Sequence, residues 1–101
     1  MILVALALAL ATPPLYRECT VSIGEVQSCS ATAYTGIAPI EQGSRVYDSD
    51  ISIGVVWTAN EPFTGIVPLV RGSKVVSCQV QQGNVSQCLA TGFTGTAILL
   101  R

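Results

Sequence analysis

Over most of its length the chain reads as short apolar runs, rich in Val, Ile, Thr and aromatic residues, broken at short intervals by Gly, Asn or Pro. That is the pattern of short β-strands joined by tight turns. Outside the first eleven residues no apolar spacing of 3.6 residues appears, so little helix is expected. The runs also repeat. Ile23-Gly24-Glu25-Val26, Ile53-Gly54-Val55-Val56 and Gln82-Gly83-Asn84-Val85 match one another, as do Tyr34-Thr35-Gly36, Phe63-Thr64-Gly65 and Phe93-Thr94-Gly95. Gly43-Ser44 and Gly72-Ser73 mark a further reversal in the first two copies. Turns are expected at Gly24, Gly36, Gly43, Gly54, Gly65, Gly72, Gly83 and Gly95, with positive φ where Gly-Glu and Gly-Asn reverse the chain. Pro39 and Pro68 fall inside apolar runs and cannot donate to a ladder, so their strands belong at an edge or a bulge.

The expectation is an all-β fold: a small β-barrel or β-sandwich built from repeated hairpin units, with an N-terminal apolar strand or arm. Residues 1–14 form the apolar segment, and 15–101 a single β domain of three repeats of roughly 30 residues each. In the segment itself, Val4-Ala5-Leu6-Ala7-Leu8-Ala9-Leu10-Ala11 alternates large and small side chains, as a strand packed on both faces would. It is too short for a bilayer span of about 20 residues. Ala9-Leu10-Ala11 has the form of a signal-peptidase site, but no Lys or Arg precedes it. A retained arm is the preferred expectation, and a cleaved signal the alternative.

Cys19 and Cys29 flank Gly24 at equal distances, and Cys78 and Cys88 flank Gly83 in the same way. If each glycine heads a hairpin, each pair faces across two strands and is close enough to bridge. Cys19–Cys29 and Cys78–Cys88 are therefore expected, though bonds between subunits remain open. Structural zinc fits these spacings poorly, because its thiolates usually lie two to four residues apart. Ser49 and Ala59 stand at the equivalent places of the middle unit. Disulfides imply an oxidising setting: secretion, the periplasm or a virion outside its host.

Composition narrows the function. The net charge is −1, and the five basic residues form no run, so neither nucleic-acid nor membrane-surface binding is expected. Charged residues make up 11% of the chain against a norm of about 25%, and half of it is hydrophobic. A domain this small cannot bury so much apolar surface internally, and large exposed apolar patches mark contact sites. Candidate interface residues are Ile2, Leu3, Val4, Leu6, Leu8, Leu10, Trp57 and Phe63. With no histidine the Ser-His-Asp arrangement is impossible. Asp48 and Asp50 read as a solvated turn rather than an acid–base pair, and Glu25 and Glu41 as turn residues. No catalytic residue, cofactor or metal is expected.

The stretch from Gly43 to Asp48, then Ile53-Gly54-Val55, then Gly65 to Arg71, resembles the capsid cement or head decoration proteins of tailed bacteriophages. The outline recurs from Gly72-Ser73-Lys74-Val75 to Gly95 and Arg101. The resemblance covers about 60 residues of turn and strand pattern. It implies a β-rich subunit on the outer capsid, often trimeric, that stabilises the shell by bridging neighbouring major capsid proteins and has no catalytic residues. The apolar arm and the four cysteines depart from that outline. A secreted, disulfide-stapled binding or inhibitory module, or a surface filament subunit, is the alternative expectation.

Overall fold

The computed structural model describes residues 13–101, so the apolar segment and its six interface candidates from Ile2 to Leu10 lie outside the described residues. Nine strands follow: β1 (Tyr16–Ser22), β2 (Glu25–Cys29), β3 (Gly36–Gln42), β4 (Arg45–Ser52), β5 (Val55–Pro62), β6 (Gly65–Arg71), β7 (Lys74–Gln81), β8 (Asn84–Gly92) and β9 (Gly95–Leu100). The all-β class holds, but the strands do not close into a barrel. They form a three-stranded sheet, β2-β1-β9, and a six-stranded one. The larger sheet is two three-stranded halves, β3-β4-β5 and β6-β7-β8, joined by the single pair Arg45↔Asn84.

Each three-stranded group has the same plan. A central strand (β1, β4 or β7) pairs on one side with the next strand of its hairpin and on the other with a strand from the preceding repeat. The last strand of the chain, β9, returns to β1, so the cycle is closed by the termini. Leu15 and Arg101 exchange two backbone hydrogen bonds (3.1 and 2.9 Å) where the other two groups have the Gly43-Ser44 and Gly72-Ser73 turns.

The repeated aromatic-Thr-Gly words build the three corners of this cycle. At one corner Gly24 N donates to Phe93 O, Phe93 N to Val75 O and Val75 N to Gly24 O, at 2.8–2.9 Å. Gly54, Tyr34 and Tyr16 make the same triangle, as do Gly83, Phe63 and Val46. The threonine hydroxyl at each corner accepts the N–H of the opposite hairpin tip: Thr94 from Ile23, Thr35 from Ile53 and Thr64 from Gln82. The glycine of each word leaves room for the ring two residues earlier; at Gly65 a Cβ would sit 3.0 Å from the Phe63 ring, at a φ of +148°.

Alternation on each central strand sends one side chain in two inward. Cys19 and Val21, Ser49 and Ile51, and Cys78 and Val80 are all buried, as are Ala38 and Ile40, Val67 and Leu69, and Ala97 and Leu99 on the partner strands. The core is three clusters rather than one. Each takes a residue from the neighbouring group: Val46 packs with β6–β8, Val75 with β1 and β9, and Tyr16 with β3 and β4.

Several sequence expectations shift in register. The hairpin tips are Ile23-Gly24, Ile53-Gly54 and Gln82-Gly83, both residues with positive φ, so the reversal falls one residue before the Gly-Glu and Gly-Asn steps. Asp48 and Asp50 are not in a turn but in the middle of β4; Glu25 opens β2 and Glu41 lies in β3. Pro39 and Pro68 sit on β3 and β6, each paired on one side only.

Candidate interaction surface

The two disulfides are intramolecular, Cys19–Cys29 and Cys78–Cys88, and no cysteine is free. Each joins residues directly opposite in a hairpin, with Cα atoms 4.0 Å apart. They lock β2 to β1 and β8 to β7. The middle outer strand, β5, has no such lock.

That strand also differs on its outer face. All three outer strands bulge at one position, holding Gln27 in β2, Trp57 in β5 and Ser86 in β8. Two residues earlier stand Glu25, Val55 and Asn84, and at the tips Ile23, Ile53 and Gln82. Only the middle hairpin is apolar at all three positions. Ile53 is 70% exposed, Val55 55% and Trp57 72%. Ile37, also exposed, lies across Asp50 from Thr58 on the same sheet. The other interface candidate, Phe63, is half-buried against the β6–β8 cluster and over Gly65.

The tip geometry adds a second signal. Ile53 holds φ +48° and Ile23 φ +45°. For a β-branched residue this is a strained conformation, costing on the order of 1–3 kcal/mol, and strain of that kind concentrates at functional positions. Nothing in the packing asks for isoleucine there, since both side chains are mostly in solvent.

A second feature lies where the inner edge strands β3, β6 and β9 converge. A cavity of about 150 Å3 is lined by Pro39, Pro68 and Ile98, by Ile40, Leu69 and Leu99, and by Glu41, Val70, Leu100 and Tyr16. Three equivalent positions from three repeats thus surround one hollow. Tyr16 ionises above its ordinary value because burial disfavours the phenolate. Glu41 holds Arg71 through two bonds of 2.9 Å, and this pairing raises the guanidinium's pKa further. Repeat alignment alone identifies those lining positions once the inner strands are known to converge. The strained isoleucines carry no such signal in the sequence.

Asp48 and Asp50 face outward beside Pro39 and Ile37 and, among the described residues, take part in no ion pair. Among the described residues no three His, Cys, Asp or Glu side chains group as metal ligands. Compared with known protein families, curated proteins and solved structures, the chain matches none.

Proposed function

We propose that the protein is a structural subunit that decorates and stabilises a bacteriophage capsid, bridging neighbouring capsid subunits through the apolar outer face of its middle hairpin. The observation that carries the reading is the exposure of Ile53 at the hairpin tip and of Val55 and Trp57 on β5, the one outer strand without a disulfide. Trp is enriched in the hot spots of protein interfaces, and a strand with an open edge can add main-chain hydrogen bonds to such a contact. The other two outer strands, β2 and β8, are stapled, a construction suited to a particle that meets oxidising surroundings. The internal three-part cycle supplies within one chain the build that decoration subunits obtain by forming trimers. It requires neither cofactor nor catalytic group.

The test is a comparison of particles with and without the protein. Particles that lack it lose heat and osmotic resistance and regain both when purified protein is added back. Equal resistance in its absence contradicts the proposal. The two intramolecular disulfides also favour a second reading, a secreted binding module, under which the protein is found free in the medium and as a monomer.

A further inference from the structure

Building on the middle hairpin as the contact face, we infer the chemistry of its partner: an apolar protein surface that brings Lys or Arg side chains to Asp48 and Asp50. The apolar residues make the contact, and the carboxylates select what they meet.

Apolar and acidic residues share one face of this group. Asp50 pairs with Ile37 on β3 and with Thr58 on β5, next to Trp57 in the bulge. Asp48 lies two residues away on the same face of β4, opposite Pro39. Val55 pairs with Ser52, the next outward position of β4 after Asp50. Ile37, Val55 and Trp57 are all more than half exposed. A partner lying across this face from Ile37 to β5 must also cover Asp50. A carboxylate taken out of water without a partner is strongly penalised, so the covering surface has to supply one.

The chain itself does not supply it. The group β3–β5 holds four of the six acidic residues, Glu41, Asp48, Asp50 and Glu61, and one of the five basic ones, Arg45. The charge of the chain is therefore divided, with −3 in this group and +2 elsewhere. Glu41 is held by Arg71. Arg45 is committed to the next repeat: its Nη2 donates to Gln82 O at 2.7 Å, and its guanidinium lies over the Tyr47 ring. Among the described residues, Asp48, Asp50 and Glu61 form no ion pair. Two like charges at successive outward positions of a strand stand about 7 Å apart and repel. A cationic partner turns that repulsion into attraction.

The other two groups are built differently. Thr20 and Gln79 stand where Asp50 does, Thr20 between Thr96 and Ser28 and Gln79 between Ile66 and Gln87. Ile66 is as exposed as Ile37, yet its neighbour on the central strand is an amide. The equivalents of Asp48 are Glu18 and Ser77, so only the middle central strand carries two acids. A second copy of this chain is a poor match for them. Arg17 donates to the carbonyls of Ser30 and Ala31, and Arg71 is taken by Glu41. Lys74 and Arg101 belong to different sheets and make no joint basic surface.

Trp57 is the single tryptophan of the chain, so its emission reports on this face directly. The full oxidised protein is titrated with two amphipathic peptides of equal length and hydrophobicity, one of Leu and Arg, the other of Leu and Glu. The Leu–Arg peptide is expected to shift Trp57 emission to the blue and to bind at least about tenfold more tightly than the other. Raising salt from about 0.05 M to about 0.5 M erodes that preference. Asp48→Asn/Asp50→Asn brings the two affinities to within about threefold of each other. Glu18→Gln/Glu25→Gln removes the same net charge from β1 and β2 and keeps the preference, which separates local from overall charge. Equal wild-type affinity for both peptides, an unshifted Trp57 emission, or a preference that survives Asp48→Asn/Asp50→Asn overturns the inference. So does salt-sensitive self-association of the wild type, which would put a second copy on this face. Failure to pellet with particles at any salt counts against capsid decoration alone, because the peptides test the partner's chemistry without them.

Discussion

Ser49 and Ala59 face each other across β4 and β5 at the place where Cys19 meets Cys29 in one neighbouring group and Cys78 meets Cys88 in the other. The Ser49 side chain is fully buried and donates its hydroxyl to Tyr47 O at 3.0 Å. The middle unit thus keeps the geometry of a staple without the sulfur. Ser49→Cys/Ala59→Cys is expected to form a third disulfide, seen as a further loss of two hydrogens in the unreduced mass. It closes a short loop and raises stability by about 2–3 kcal/mol, less the lost hydroxyl bond. Thiols that stay alkylatable in the folded protein contradict this.

The hairpin tips make stability and contact oppose each other. Ile53→Asn replaces a β-branched residue at φ +48° with one that tolerates this region. Denaturant midpoints are expected to rise, by about 1 kcal/mol of stability, while partner binding weakens. A destabilised Ile53→Asn protein shows that the tip is not strained.

Tyr16 predicts an alkaline limit. Its pKa is raised in the folded state, so the fold binds the phenolic proton more tightly than the unfolded chain does. The corresponding stability is complete below the ordinary tyrosine value of about 10 and is lost as pH rises through the folded pKa. Thermal midpoints of the wild type are expected to fall above that pH, and those of Tyr16→Phe to fall less. Identical alkaline profiles contradict the burial of the hydroxyl.

The ion pair at the cavity is expected to matter little to stability. Arg71 and Glu41 are bidentate but remain partly solvated. Glu41→Gln costs under about 1 kcal/mol by chemical denaturation, whereas Val67→Ala in the buried cluster on the same β6 costs more. A larger loss from Glu41→Gln than from Val67→Ala reverses that ranking.

The repeat made most of the fold legible. Strand-forming runs, the hairpin reversals to within a residue, edge prolines and both disulfide pairs follow from local spacing, because hairpins pair residues near in sequence, whereas Gly36, Gly65 and Gly95 open strands rather than turns. The closed cycle did not, since the return of β9 to β1 and the backbone triangles at the corners are long-range pairings with no local signature. Aspartates at 48 and 50 look like a turn in a string of residues. In β4 they are outward positions of a central strand, which alternation permits as readily. Trp57 was visible as a candidate, but its difference emerged only when the residues at the equivalent bulges of β2 and β8, Gln27 and Ser86, proved polar. Phe63 carries the same aromatic signal in the sequence, yet Gly65 gives its ring a place inside.

Cosedimentation of Trp57→Arg with particles from the native source tests the central claim most directly. The side chain is 72% exposed, so its replacement is expected to change folding stability by no more than about 0.5 kcal/mol. Wild-type protein is predicted to pellet with the particles, and Trp57→Arg, equally folded, to remain in the supernatant. Equal pelleting of the two proteins would contradict the assignment of the middle hairpin as the contact surface.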